Sequence, residues 1–422
     1  MSARDGSQHL GASCEQDPGT CCRCEHVDRH ALAVAVDRMA GERGFFAHAL
    51  EDRPHLFADV AVRLPEADYE AMTRLVGAAE RAAGLEGFRA LASSWSPDVF
   101  GPDAHGAGLF MGYDFHLTPD GPRLIEINTN AGGAFFCAVA AEAACACAGG
   151  APGTDRFEAA VTDTFRREWR LAGRSGPLSS VVIVDDAPTE QPLAPEFALA
   201  RAVLKRAGIA ASIADASELA VEGGALRLGG RPVDLVYNRV TDFALADPTH
   251  AALRRAYAEG LAVVSPSPRH HALLANKSAL AVLSDPERLK AIEVSVEDRA
   301  ALEVIPRTRR AREADADALW AERKRLVFKP AASHASKGVY RGDKITRGAF
   351  AQVLAGDYVA QALVPPSERT VVLDGAAASL KLDVRLYTHA GHVLQTAARI
   401  YQGQVTNMRT EGGGFAPVLQ DG

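Results

Sequence analysis

Glu126 and Asn128 stand two residues apart in the run Leu124-Ile-Glu-Ile-Asn-Thr-Asn-Ala-Gly-Gly133. A strand alternates its side chains, which puts both polar groups on one face and Ile125 and Ile127 on the other. Upstream, Thr118-Pro-Asp-Gly121 has the chemistry of a tight turn: Pro fixes φ and Gly tolerates positive φ. Asp114 then falls on the partner strand of the same hairpin. Two carboxylates and an amide oxygen form an all-oxygen set, which suits Mg²⁺ bound together with nucleotide phosphates.

A second group of residues could hold those phosphates. Arg325-Leu-Val-Phe-Lys-Pro330 reads as a strand ending in Lys329, followed by the small-residue loop Ala331-Ala-Ser-His-Ala-Ser-Lys-Gly-Val339. Backbone N–H groups of such a loop can cradle phosphates, with Ser333, Ser336 and Lys337 as its polar members. Lys329 adds a point charge. The loop is not a Walker A, which needs Gly-Lys-Ser/Thr opening a helix. Alone, a strand-end lysine is more often a surface residue. Asp357-Tyr-Val-Ala-Gln-Ala-Leu363 reads as a short strand whose backbone, near Gln361 and Leu363, suits an adenine edge, or equally an ordinary core strand. Lys381-Leu-Asp-Val-Arg-Leu-Tyr387 alternates strictly, with Asp383 and Arg385 on one face. Arg399 stands on the polar face of Val393–Ile400, and Asn407 and Gly412-Gly-Gly414 follow. Two arginines, an amide and three glycines in one hairpin favour an anion site.

These groups need elements to position them. Residues 1–28 read as a tail and 30–51 as helical. Asp68–Ala83 has Tyr69, Met72, Leu75, Val76 and Ala79 on one helical face. Phe157, Val161, Phe165 and Trp169 do the same for Asp155–Ala172. From about 178 to 268, apolar runs at 181–184, 209–213, 233–237 and 261–264 alternate with helical segments near 193–207 and 248–259, which indicates a small parallel α/β domain. Beyond it the chain reads as mixed α+β: a helix at 270–283 and strands at 325–329, 358–363, 380–389 and 392–401.

Bulk properties bound the possibilities. A chain of 422 residues has room for two or three domains. No apolar run approaches the roughly 18 residues of a membrane span, and the first residues lack the apolar core of a signal peptide, so a cytoplasmic location is expected. A net charge of -7 without a basic block argues against nucleic acid. Of seven cysteines, Cys137, Cys145 and Cys147 read as small buried residues. Cys14, Cys21, Cys22 and Cys24, with His26, lack paired Cys-x-x-Cys spacing and fit a partly reactive tail better than a metal knuckle.

Taken together, the motifs resemble the ATP-grasp superfamily. Phe328-Lys329-Pro330 and its loop look like that family's phosphate lysine and flap, and Asn276-Lys277 like its earlier nucleotide lysine. Tyr358–Leu363 looks like the adenine hinge strand. Leu382-Asp-Val-Arg385, Ala398-Arg399 and Thr406–Gly414 resemble the matching run of glutathione synthetases and related ligases. Asp114, Glu126 and Asn128 look like the metal ligands. Their order is circularly permuted, because the metal hairpin precedes the inserted α/β domain, as in eukaryotic-type glutathione synthetases. The resemblance covers about residues 60–420. It implies an α/β fold of ATP-grasp lobes, divided as 29–177, 178–268 (substrate domain) and 269–422.

The resemblance also implies an ATP- and Mg²⁺-dependent carboxylate–amine ligase working through an acyl phosphate on small acid and amine substrates, with a homodimer left open. Rival readings are a kinase on the same fold and a non-catalytic nucleotide-binding scaffold. Lys277 and Lys329 would hold phosphates, Asp383 would lie in the ATP site, and Glu368 would take the ribose. Arg385 and Arg399 would stabilise the transferring phosphoryl, and Asn407 and Gly413 would touch substrate. Arg239 would bind a substrate carboxylate, against an even chance of a packing ion pair. Gly112-Tyr113 stands where glutathione enzymes carry an arginine, and the flap is poor in glycine.

Overall fold

The computed structural model describes residues 27–99, 106–145, 154–332, 338–373, 376–403 and 406–420. The cysteine-bearing tail with His26, and Ser333, Ser336 and Lys337, lie outside the described residues. No described helix is long and apolar enough to cross a membrane.

Strand β1 (Val62–Leu64) leads into the helix Glu66–Gly84, and the hairpin of β2 (Met111–Thr118) and β3 (Gly121–Asn128) follows. Next come β4 (Ser180–Asp185), β5 (Ala210–Asp215), the short meander β6 (Leu219–Glu222), β7 (Ala225–Leu228) and β8 (Arg231–Pro232), then β9 (Leu235–Asn238) and β10 (Val263–Ser265). The last third holds β11 (Thr308–Arg310), β12 (Leu326–Pro330), β13 (Tyr340–Arg341), β14 (Tyr358–Ala362), β15 (Ser367–Leu373), β16 (Ala376–His389), β17 (His392–Tyr401) and β18 (Gly414–Gln420).

Seven of these form one sheet in the order β1-β18-β17-β16-β2-β3, with β15 also on β16. β15 pairs with the first half of β16 and β2 with the second half. Side-chain alternation divides this sheet chemically. Tyr113, Phe115, Ile127, Val384 and Leu386 enter a core shared with Met72, Leu75, Val76 and Ala79 of the helix Glu66–Gly84. Each fully buried aliphatic side chain there contributes roughly 1.5–3 kcal/mol. The intervening residues Asp114, Asp383, Arg385 and Arg399 are thereby aimed at the opposite face.

The strands β10-β9-β4-β5 form a parallel sheet between Ser180 and Ser265. One of its faces (Val181, Ile183, Leu235, Tyr237) packs with Phe110, Phe135 and Phe165 from the preceding segment. The other face (Val182, Val184, Val236) packs with Leu253 of its own helix. Apolar side chains on both faces produce the unbroken hydrophobic runs of these strands. The third sheet, β11-β14-β12-β13, is antiparallel. Phe328 and Ala360 point into its core with Leu319 and Phe350, so Val327, Lys329 and Gln361 take the other face.

Several expectations are corrected. The helical stretch at 30–51 is two helices, Arg29–Ala40 and Phe45–Ala49, separated where Gly41 and Gly44 take φ of 68° and 82°. The helix at 270–283 is interrupted by extended Asn276 (φ -63°, ψ 123°) and resumes at Ser278. The β2–β3 hairpin carries a bulge: Asp114 pairs with Glu126 and Phe115 with Leu124, leaving Ile125 over. Strict alternation therefore fails at Ile125, which lies on the same side as Glu126. Circular permutation implies that Pro417–Leu419 ends close to Val62–Pro65, and Val62–Leu64 and Val418–Gln420 are parallel hydrogen-bonded neighbours, with Val62 opposite Val418. They run side by side rather than end to end.

Candidate functional site

A cavity of about 190 Å³ opens between the seven-stranded sheet and the β11–β14 sheet. Ile125 and Glu126 of β3, Lys277, Lys329 of β12 and Gln361 of β14 line it. Ala362, Leu363 and Val364, at the exit of β14, form an apolar rim. Strand register and local breaks in regular structure deliver the charged groups. Glu126 faces the cavity by register, directly opposite Asp114, and the bulge brings Ile125 beside it. The interruption at Asn276 places Lys277, whose N–H donates to Ala331 O at 2.8 Å, ahead of the next helix. Lys329 reaches the cavity by strand alternation opposite the core residue Phe328.

Both lysines are engaged. Lys277 Nζ stands 2.9 Å from Glu126 Oε1, its side chain only 5% exposed. Lys329 Nζ donates to Ile125 O at 3.0 Å and to Gln361 Oε1 at 2.8 Å. Burial pulls the Lys329 ammonium down to about 8; Glu126 opposes this and Lys277 adds to it. Burial would raise the Glu126 carboxyl, but Lys277 and then Lys329 hold it below its ordinary value.

Behind this cavity lies a buried ion network. Arg385 donates from Nε to Asp114 Oδ1 at 2.5 Å and from Nη2 to Oδ2 at 2.7 Å. Arg399 donates from Nη2 to Asp114 Oδ2 at 2.8 Å and from Nε to Asp383 Oδ1 at 2.7 Å. Thr406 Oγ1 donates to Asp383 Oδ2 at 3.0 Å. Neither carboxylate has any exposed surface. Burial opposes ionisation of Asp114, yet Arg385 and then Arg399 hold it at about 2. Repulsion between Asp114 and Glu126, which would raise one carboxyl, is therefore outweighed at both.

The three expected metal ligands lie together, Asp114 directly opposite Glu126 and Asn128 against Asp114, but Asp114 is also engaged by arginine. Asn128 Nδ2 donates to Asp114 Oδ2 at 3.0 Å, which directs its amide oxygen away from Asp114. Both Asp114 oxygens face guanidinium groups, an environment that repels a divalent cation. Among the described residues no three acidic, His or Cys side chains form a metal-binding group. Glu126, with its side chain 28% exposed, and the free oxygen of Asn128 do fit Mg²⁺. Such an ion ordinarily takes one or two protein oxygens and completes its shell with phosphates and waters.

The remaining expected residues divide. Gln361 and Leu363 line the cavity. Glu368 does not: it is exposed on β15 and accepts from Ser379 Oγ at 3.1 Å. Asp383 is sealed behind the cavity by Arg399 and Thr406 rather than lining it. Arg385 and Arg399 likewise sit behind it; the Arg399 side chain is 15% exposed, so it is not a solvated surface group. Asn407 Oδ1 accepts from Arg409 N at 3.1 Å, and Gly413 is buried in a turn closed by its N–H on Thr410 O. Neither lines the cavity. Arg239 is buried, donates to Tyr237 Oη at 3.2 Å, and leaves Nε without a partner. Its guanidinium packs over the Phe197 and Tyr237 rings.

Sequence reasoning missed His116, Arg341, Lys381, Tyr401 and Thr406, which also line the cavity. Extending the alternation from Asp114 to His116 and from Asp383 back to Lys381 would have found two of them. It also missed Glu196, a buried carboxylate on the helix Ala194–Arg206. Glu196 accepts from Gly133 N at 2.8 and 2.9 Å and from Phe135 N at 3.2 Å, and so holds the loop after β3. No sequence motif marks it.

No family model matches the chain, and no curated protein is similar enough to count as a relative. Solved structures do share its architecture. A glutathione synthetase-like effector from Globodera pallida, in apo form, superposes over 94% of this chain and 99% of its own, with 12% identity and a TM-score of 0.55. A chain from Methylobacillus flagellatus KT described as a gamma-glutamylcysteine synthetase candidate matches over 82% and 85%, with 11% identity and a TM-score of 0.45. The ATP-grasp ligase PsnB, complexed with a precursor variant, Mg and ADP, matches over 55% and 79%, with 18% identity and a TM-score of 0.30. The chain thus shares the fold of the glutathione synthetase-like effector.

Proposed function

We propose that the protein is an ATP-dependent carboxylate–amine ligase. The observation that carries this reading is the meeting of Lys277, Lys329 and Glu126 in one cavity with the apolar rim of Ala362–Val364. Two ammonium groups suit a polyphosphate, and the rim suits an adenine ring. In this reading Lys277 exchanges Glu126 for a phosphate oxygen, and Lys329 adds its charge to the same chain of phosphates. Glu126 and the Asn128 amide oxygen would hold Mg²⁺, which would neutralise charge on the phosphates.

The reaction has two steps. A carboxylate oxygen of the acid substrate attacks the γ-phosphorus; the bond from phosphorus to the β-bridging oxygen breaks, and ADP leaves with that electron pair. The amine nitrogen then attacks the acyl carbon, the carbon–oxygen bond to phosphate breaks, and the amine loses a proton. In this reading Arg385 and Arg399 act from behind the cavity wall on the charge that develops, as preorganised guanidinium groups. Arg239, with a buried unpartnered Nε, is the candidate in the 178–268 unit for a substrate carboxylate, outside the lining of the lysine cavity itself.

The test is ATP turnover with a panel of amino acids and short peptides, following ADP, free phosphate and product mass. ADP, phosphate and a condensed product together support the ligase. ADP without free phosphate would replace it with a kinase, and no turnover would leave only a nucleotide-binding scaffold.

A further inference from the structure

Building on the nucleotide-dependent reading above, we infer that Asp114 is a positioning residue. With Asp383, it racks the guanidinium groups of Arg385 and Arg399 so that they meet a transferring phosphoryl group in a fixed orientation.

The sheet register builds the rack. Arg385 on β16 is directly opposite Asp114 on β2, and Arg399 on β17 is directly opposite Asp383 on β16. Each pair is thus a cross-strand pair on the polar face. Arg399 also reaches past β16 to Asp114, which ties the two pairs into one unit. Two N–H groups of each guanidinium are fixed, Nε and Nη2 in both cases. Among the described residues, the Nη1 of each donates to nothing. Asp114 Oδ2 takes three donors, from Arg385, Arg399 and Asn128, and Oδ1 takes the Arg385 Nε. That leaves no lone pair of Oδ2 for a metal. The unit contains two carboxylates and two guanidiniums, so it is neutral and stable in its buried position without any ligand. Asp114 also pairs in register with Glu126, which places the rack against the wall of the lysine-lined cavity.

A planar fork gains most where charge appears only during reaction, and only if its plane is set beforehand. A long arginine side chain without such anchors would have to be ordered at the moment of need. Asp114 would supply that order without touching substrate, nucleotide or metal.

The test compares full-length Asp114→Asn, Asp383→Asn, Arg399→Ala and Glu126→Gln proteins. Calorimetric titrations with Mn²⁺–ADP read ground-state binding. Titrations with Mg²⁺–ADP plus aluminium fluoride, which imitates the transferring phosphoryl, read the poised state. The rack predicts that Asp114→Asn keeps Mn²⁺–ADP affinity within about threefold of wild type. It should weaken the fluoride complex about 10²-fold, as loss of one oriented donor does. In Glu126→Gln the Mn²⁺–ADP affinity itself should fall. In the Arg399→Ala background, Asp114→Asn should weaken the fluoride complex by less than it does in the wild-type background, since only Arg385 is then left for Asp114 to orient.

Parallel loss of Mn²⁺–ADP affinity in Asp114→Asn and Glu126→Gln would make Asp114 a metal ligand and overturn the inference. Equal losses for both ADP complexes, or no loss for either, would overturn it as well. If Asp114→Asn fails to fold, Asp383→Asn, which frees a single N–H of Arg399, answers the same question. These titrations need no acid or amine substrate. Absence of turnover with every substrate would remove the ligase reading while leaving the rack decided by the fluoride comparison.

Discussion

Lys329 gives the cavity a pH dependence that can be worked out in advance. Its ammonium titrates at about 8 because it is buried, with Lys277 nearby. At pH 7 such a group is about nine-tenths charged and at pH 9 about one-tenth. Only the charged form attracts a phosphate, so ADP affinity should fall about tenfold over those two pH units. The nucleotide's own terminal ionisation, near 6, is complete throughout that range and adds little. The assay is calorimetric titration of Mg²⁺–ADP at five pH values and constant ionic strength, since surface charges respond to salt. Lys329→Arg serves as the control, because a guanidinium stays charged and its curve should be flat. A wild-type Kd that does not change between pH 7 and 9, or an equal slope in Lys329→Arg, would refute the reasoning. The same shift sets the sign for stability. The unfolded chain binds this proton more tightly than the folded one, so Lys329 costs stability below pH 8, and that cost disappears as pH rises towards 10.5.

Other substitutions test other parts of the site. Glu126→Gln should abolish turnover and leave the fold intact, as judged by circular dichroism; near-normal activity would remove Glu126 from the metal site. It also takes a charge partner from the buried Lys277, so the unfolding free energy from urea titration should drop by about 1–3 kcal/mol. Arg399→Lys should lower kcat by roughly 10²-fold with nucleotide Kd nearly unchanged, because a point charge cannot bridge Asp114 and Asp383 as the fork does. Gly133 has φ of 104°, and a Cβ there would lie 2.2 Å from the Phe415 ring. Gly133→Ala should therefore cost about 2–5 kcal/mol in urea unfolding, from backbone strain and overpacking together; a loss under about 1 kcal/mol would mean that the ring moves aside.

Much of the site was legible because the chemistry sits on strands. Period-two alternation alone put Asp383 and Arg385 on one face and paired Glu126 with Asn128. It failed at Ile125, because a bulge is a local defect with no composition signal in this run. Lys277 was found by its motif, while the break in the helix that presents it depends on the extended backbone of Asn276. Asp114 was placed in the hairpin, but its ion pairs with Arg385 and Arg399 were not foreseen. Which cation a carboxylate faces depends on strands from the far end of the chain, Arg385 and Arg399, and local spacing says nothing about that register. Glu196 was illegible for the same reason: its partners, Gly133 N and Phe135 N, lie on a segment that only tertiary packing brings near.

The placement of β18 between β1 and β17 has a consequence for synthesis. Val62 leaves the ribosome long before its in-register neighbour Val418. The helix Ala134–Cys145, packed against β18, waits equally long for its cover. Until Gly414–Gln420 is made, the described partner of β1 is missing and the outer edge of β17 is bare, so this sheet cannot close before then. Pairings between segments so far apart in sequence also close slowly, because the loop entropy must be overcome before the contacts form. Nascent chains of this protein should therefore carry an open sheet edge and a solvent-exposed apolar helix face until β18 emerges, a state that chaperones bind and that aggregates when they are scarce.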